Sequence, residues 1–238
     1  MKKWLAFLLL GTIVVTSCRV GGRRVHGNRN VKTEDRGLSG FHGVVSSGSF
    51  DVYVSSGSPS VKIEAEENLL PYIETYIDGD VLKVNTRKGY SLRPERSIKV
   101  YVTAPAFNKI QSNGSGNIIS QSKITDPSKI ELEVNGSADI KVDVDAPEVI
   151  AEVRGSGNMN LIGDAKSFSG EIVGSGDIRA FDLKSEETTV KIVGSGDAEV
   201  YSSVKLNVSV AGSGDVRYKG GAQVDSHIAG SGGVKKLD

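Results

Sequence analysis

Cysteine occurs once in the 238 residues, at Cys18, so no intramolecular disulfide framework is available. Charge of either sign is not in excess. Lys+Arg and Asp+Glu both number 29, and no basic tract offers a phosphate backbone a landing strip, which argues against a nucleic-acid partner. Histidine is scarce: His26, His42 and His227 are all there is. No His-Glu-x-x-His, Gly-x-Ser-x-Gly elbow or Gly-x-x-x-x-Gly-Lys loop occurs, so the chain offers neither catalytic residues nor a metal or cofactor motif. The one long apolar run, Trp4 to Val15, falls short of the roughly 20 residues a membrane-spanning helix needs. Proline is sparse at 6, whereas glycine is abundant at 29. That much glycine excludes a helical bundle, since each interior glycine costs roughly 0.5–1 kcal/mol against alanine.

The apolar run has a meaning at its position. Lys2 and Lys3 precede it, and Val15-Thr16-Ser17-Cys18 follows, so residues 1–17 read as a secretory signal. The last four of these residues resemble the bacterial lipobox, in which the cysteine becomes the lipidated first residue of the mature chain. Cys18 is therefore expected to be a lipid attachment site, with the membrane as a partner through that anchor. Loss of Lys2 and Lys3 leaves the mature side chains with two more acids than bases. Residues 18–37 are rich in Gly, Arg and Asn and are expected to form a flexible tether. Surface-displayed lipoproteins of the Bacteroidetes carry an acidic run after the cysteine. Here Arg19-Val20-Gly21-Gly22-Arg23-Arg24 takes its place, which favours retention on the periplasmic side.

A repeat dominates what remains. Gly-Ser-Gly-Asp/Asn, or a near variant, starts at Gly114, Gly136, Gly155, Gly174, Gly194, Gly212 and Gly230, with spacings of 22, 19, 19, 20, 18 and 18 residues. Four places after each first glycine stand Ile118, Ile140, Met159, Ile178, Ala198, Val216 and Val234; two places before it, six of seven residues are apolar. Apolar residues at i and i+2 flanking a glycine turn mark strands with one buried face. A period of about nineteen residues has no room for a crossover helix, and matched columns require each coil to lie on the last. The expected fold is all-β: a parallel β-helix or solenoid with Gly-Ser-Gly-Asp turns. A closed antiparallel barrel or sandwich of hairpins is the alternative, but it gives no reason for matched columns. Asp139, Asp177, Asp197 and Asp215 share their column with Asn117 and Asn158. A calcium ladder would need the turn twice as often and uniformly acidic, whereas a corner cap accepts either residue.

From residue 38 to 105 alternation continues, as in Phe50-Asp51-Val52-Tyr53-Val54 and Ile98-Lys99-Val100-Tyr101-Val102. Glu67 to Ile77 is expected to hold a short helical turn, limited by Pro71, ahead of a strand. One continuous domain over 38–238 results, with irregular coils over 38–105 blocking one end and seven repeats over 106–238. The lipobox, the segments Phe41 to Val54, Val61 to Leu70 and Asp80 to Val84, and the seven turns together resemble the head GIN domain family of auto-transporter adhesins, common in Bacteroidetes lipoproteins. The resemblance implies a right-handed β-helix and an adhesive role, and it carries no functional residues with it.

Candidate contact residues follow from irregularity instead. Arg87 to Arg96 is the longest irregular and most basic loop, and Arg87, Tyr90, Arg93 and Arg96 are the expected contacts for an acidic glycan or protein ligand. Tyr76, Tyr101, Tyr201 and Tyr218 are further stacking candidates. The pairs Asp143/Asp145 and Glu64/Glu66 read as solvated strand faces. Three functions are compatible with this sequence. The first is a lipid-anchored, non-enzymatic adhesion or binding module of the cell envelope and outer membrane. The second is a periplasm-facing structural lipoprotein with no external ligand, and the third a carbohydrate-active β-helix enzyme.

Overall fold

The computed structural model describes residues 22–238; the signal segment and Cys18 lie outside them. Among the described residues the regular structure is strand apart from one 3-10 turn at Leu70–Tyr72, which runs into the strand Ile73–Asp78, as the Pro71 segment predicts. It folds as one β-solenoid with two parallel faces. The first face stacks Gly43–Gly48, Lys109–Gly114, Lys129–Gly136, residues 148–155, 167–174 and 187–194, then Lys205–Gly212 and Gln223–Gly230, all parallel and in register. The second face stacks Asp51–Ser56, Ile118–Ser120, residues 139–146, 158–165 and 178–185, then Ala198–Tyr201, Val216–Lys219 and Val234–Lys236. The strands Asp139–Gly155, Asn158–Gly174 and Ile178–Gly194 each run through the bend that joins one coil to the next.

The repeat columns become the core. Ile140 pairs with Met159 and Met159 with Ile178; Val153 pairs with Ile172 and Ile172 with Ile192. All of these are buried, and they meet between the two faces. Each repeat thus buries its apolar residues only by lying on its neighbours.

Glycine at the corners is a steric requirement. The first glycine of every Gly-Ser-Gly corner has φ between +126° and +146°, outside the usual range of L side chains. A Cβ there would also overlap the carbonyl oxygen of the first glycine one coil below. That oxygen accepts the N–H of the serine stacked above it, at 2.9 Å from Ser137, Ser156, Ser175, Ser195, Ser213 and Ser231 alike.

The N-terminal end departs from the sequence expectation in three ways. First, an extra coil, Val81–Thr86 with Lys99–Ala104, pairs parallel with Gly43–Gly48 and Asp51–Ser56, on the side away from Lys109–Gly114. Coil order along the stack is therefore not chain order. Second, that end closes with antiparallel strands: Ile73–Asp78 on Val81–Thr86, Ser60–Glu66 on Lys99–Ala104, and Val31–Asp35 on Ser60–Glu66. Such pairing ends the stack, because the reversed strand offers no corner on which another coil could be laid.

Third, the expected tether is largely absent. Arg23–His26 pairs parallel with Tyr90–Arg93, and Val31–Asp35 joins the main sheet. Glu66 explains why. It is fully buried instead of facing solvent, and its carboxylate accepts the main-chain N–H of Arg29 at 2.5 Å and of Glu95 at 2.9 Å. Charge-assisted bonds of this kind are the strong ones, and here they fasten a largely polar segment whose apolar side chains are Val25 and Val31.

The corner geometry separates two glycines. Gly194→Ala meets both the unfavourable φ and the backbone overlap, and is expected to cost about 4 kcal/mol or more in chemical denaturation. Gly79→Ala, at φ +65° with open space around the added carbon, should cost only about 1 kcal/mol. Equal losses would refute the stacking constraint.

Candidate ligand-binding surfaces

Two edges join the faces, and each gathers polar residues for a different reason. Along the Gly-Ser-Gly edge, every Asp or Asn side chain accepts the main-chain N–H of its counterpart one coil on. Asp139 N–H bonds Asn117 Oδ1 at 3.1 Å, Asn158 bonds Asp139 at 3.1 Å, Asp177 bonds Asn158 at 3.3 Å, Asp197 bonds Asp177 at 3.0 Å and Asp215 bonds Asp197 at 2.8 Å. The row closes with Gly233 N–H on Asp215 at 2.9 Å, where no side chain follows to continue it. It begins one coil earlier than the motif suggests, since Asn117 N–H lies 3.4 Å from Asp51 Oδ1. Oxygens occupied in this way are corner caps. Among the described residues no three metal-ligating side chains converge.

Asp177, Asp197 and Asp215 stack carboxylate on carboxylate. Arg179 bonds Asp177 at 2.8 Å, and Arg217 lies 3.7 Å from Asp197 and 3.4 Å from Glu199, offsetting the repulsion.

The opposite edge carries the larger opening, a shallow groove of about 610 Å³ crossing several coils. Pro147, Lys166, Lys184 and Tyr201 line it together with Asp145, Asp164 and Glu186. It opens where the strand Ala198–Tyr201 stops after four residues, so that Ser202-Ser203-Val204 must carry the chain around. Beneath it lies a satisfied polar floor. Ser185 Oγ and Thr188 Oγ1 bond the Tyr201 carbonyl at 2.6 and 2.9 Å, and Ser202 Oγ donates to the Lys205 carbonyl at 2.7 Å. The Lys184 ammonium stands 4.2 Å from the centre of the Tyr201 ring. With Lys184 over one face of that ring, a sugar would meet the ring's other face or edge, with its hydroxyls at the carboxylates and ammonium groups of the rim. Of these residues, only Tyr201 was visible from the sequence as a stacking candidate.

The sequence-selected loop lies elsewhere. Arg87, Arg93 and Arg96 are exposed at the capped end of the stack, while Tyr90 turns inward against Tyr72 with ring centres 4.5 Å apart. Tyr101 is likewise stacked on Tyr53, at 5.2 Å, which leaves Tyr76 as the freely exposed tyrosine of that half. Asp143 and Asp145 do not form an acid pair of one environment. Asp145 is exposed, whereas the Asp143 Oδ1 is enclosed with the Lys123 ammonium 3.9 Å away. Three exposed ion pairs outside the groove displace the pKa of a member. A hydrogen bond from Lys32 holds the Glu67 carboxyl below its ordinary value, and hydrogen bonds to Glu64 and Glu131 raise Lys99 and Lys129.

Residues 40–222 match the family described as "Putative auto-transporter adhesin, head GIN domain". The chain belongs to this family. The crystal structure of "a putative adhesin" from Bacteroides fragilis NCTC 9343 shares the fold at a TM-score of 0.83 and 21% identity, covering 90% of this chain and 100% of that one. A "putative lipid binding protein" from Parabacteroides distasonis ATCC 8503 gives 0.76 at 25% identity, over 91% and 100%. A "putative adhesin" from Parabacteroides merdae ATCC 43184 gives 0.70 at 24% identity, again over 91% and 100%. No curated protein matched the chain. No helix among the described residues is long and apolar enough to cross a membrane.

The Asp/Asn row predicts a substitution pattern. Asp197→Asn keeps the acceptor and relieves stacked charge, so its stability should stay within about 0.5 kcal/mol of the parent. Asp197→Ala leaves the Asp215 N–H without its partner and should cost about 1–3 kcal/mol. Millimolar calcium should move neither melting curve; a calcium-dependent rise would restore the metal reading of the column.

Proposed function

We propose that this member of the head GIN domain family is a lipid-anchored, non-enzymatic binding module of the cell envelope. Cys18 carries the anchor, and the solenoid presents the Tyr201–Lys184 groove to a glycan. The observation that carries this reading is the groove itself: an aromatic ring and charged rim set on a rigid, fully satisfied polar floor, at the edge remote from the corner caps. Rigid aromatic platforms lose little entropy on binding and supply contact area to a sugar face. The family's description supports an envelope or surface location. A carbohydrate-active enzyme is the weaker reading, because the family and its solved relatives are described as adhesins or lipid-binding proteins and not by a reaction.

One observation favours a second reading. The run Arg19-Val20-Gly21-Gly22-Arg23-Arg24 lacks the acids that accompany surface display, which suits a periplasm-facing structural lipoprotein.

Three measurements divide these readings. Metabolic labelling with palmitate should mark the parent and leave Cys18→Ala unlabelled; label persisting in the variant would remove the anchor. Protease added to intact cells should degrade the head if it acts as an adhesin, whereas protection until lysis would favour the periplasmic role. On a glycan array, Tyr201→Ala should lose at least about tenfold in affinity for any sugar the parent binds. Unchanged binding would move the ligand off the groove.

A further inference from the structure

The replacement of the tether by strands changes where the head sits. Arg23, the first residue of the strand Arg23–His26, stands five residues after Cys18. Five Cα–Cα steps reach at most about 18 Å, so a bilayer holding an acyl group on Cys18 lies within that distance of Arg23. What the chain presents there is cationic. Val25 and Leu92 pack against the core, and side chains of a strand alternate between its faces. Arg24, His26 and Arg93 therefore share the outward face of the pair formed by Arg23–His26 and Tyr90–Arg93. Arg23, Arg24, Lys88, Arg93 and Arg96 are all exposed.

The nearby acids are already engaged. Arg29 holds Glu95 at 3.2 Å, Arg87 holds Glu74 at 3.2 Å, and Glu66 is buried under main-chain N–H groups. Those Glu66 bonds reach residue 29 on one segment and residue 95 on the other, so Arg24 and Arg93 stand on one fixed frame with the exposed Lys88 and Arg96 on the loop beside them.

We infer that this cationic face is a docking surface for anionic phospholipid headgroups, seating the capped end of the solenoid on the bilayer. Its position depends on the Cys18 anchor proposed above, but its chemistry does not. An acyl chain alone binds marginally and needs a second, basic signal for stable attachment, and cations within a Debye length of an anionic leaflet supply one.

The test uses unacylated protein, residues 18–238 with Cys18→Ser, which keeps every described strand. It should sediment with phosphatidylcholine vesicles containing about 30% phosphatidylglycerol at low salt, and not with phosphatidylcholine alone. Each surface cation contributes about fivefold in partitioning, so Arg24→Ser/Arg93→Ser/Arg96→Ser should lower it about a hundredfold with an unchanged melting curve. Lys205→Ser/Lys235→Ser/Lys236→Ser removes the same charge at the other end and should stay within about twofold. No preference for anionic vesicles, or equal losses in the two triple variants, would overturn the proposal. Failure of the anchor would register separately, as absent palmitate at Cys18 with vesicle partitioning intact.

Discussion

The stack depends on one contact: the carbonyl oxygen of each first corner glycine receiving a serine N–H from the coil above. That bond puts backbone on backbone at a spacing of about 4.8 Å and leaves no room for a Cβ on the glycine that follows. Once the corner is so fixed, the residues on either side of it are in register automatically. Like columns must then meet like columns, and the core becomes a set of apolar files running along the axis. The Asp/Asn row is a second thread through the same corner, satisfying an N–H that would otherwise face a neighbour with nothing to offer. Its tolerance of both residue types follows from using only the side-chain oxygen.

A repeating contact has no reason to stop, so the ends require other chemistry. At the N-terminal end the chain reverses direction twice and covers the last coil with three antiparallel pairings and the apolar residues Leu69, Leu70 and Ile73. Phe50 shows how the two regimes meet. Gly48-Ser49-Phe50-Asp51 occupies the first corner of the row, with Gly114 paired on Gly48 and Asn117 reaching Asp51. A phenylalanine stands where later coils carry glycine or, at Ala138, alanine. It is permitted because the neighbouring corner, residues 87–98, is expanded into a loop, so no glycine carbonyl lies beneath it. Its ring is buried there beside Leu92 and Ile98.

What the sequence makes legible is therefore what repeats. The corner glycines, the files through Ile140, Met159 and Ile178, and the Pro71 turn are local or periodic signals, and they predict the solenoid and its core. The corner at Gly48 escapes because Phe50 breaks the pattern. The out-of-order coil escapes because pairing of residues 81–86 with 43–48 leaves no local mark. The strand Arg23–His26 escapes because Val25 is its single apolar residue, and it is held by a buried Glu66 whose role exists only once three distant segments meet. The groove is hidden for a related reason: Pro147, Lys166 and Tyr201 are neighbours across coils, not along the chain. Of Arg87, Tyr90, Arg93 and Arg96, which loop irregularity singles out, the three arginines are exposed, whereas Tyr90 packs against Tyr72.

The two polar surfaces stand in different relations to the axis, and this separates their roles. The groove crosses coils on the edge opposite the glycine corners, so its width is set by rigid stacking and does not depend on how the molecule is anchored. The cationic face sits at the capped end, formed by the segment through which the chain connects to Cys18. On the proposed anchor that end would face the bilayer, and eight further coil spacings of about 4.8 Å separate it from the opposite end by roughly 38 Å. Glu66 thus holds residues 23–35, where a tether is expected, as strands fixed to the capped end. The groove lies on the flank of the column so formed, on the edge opposite the glycine corners.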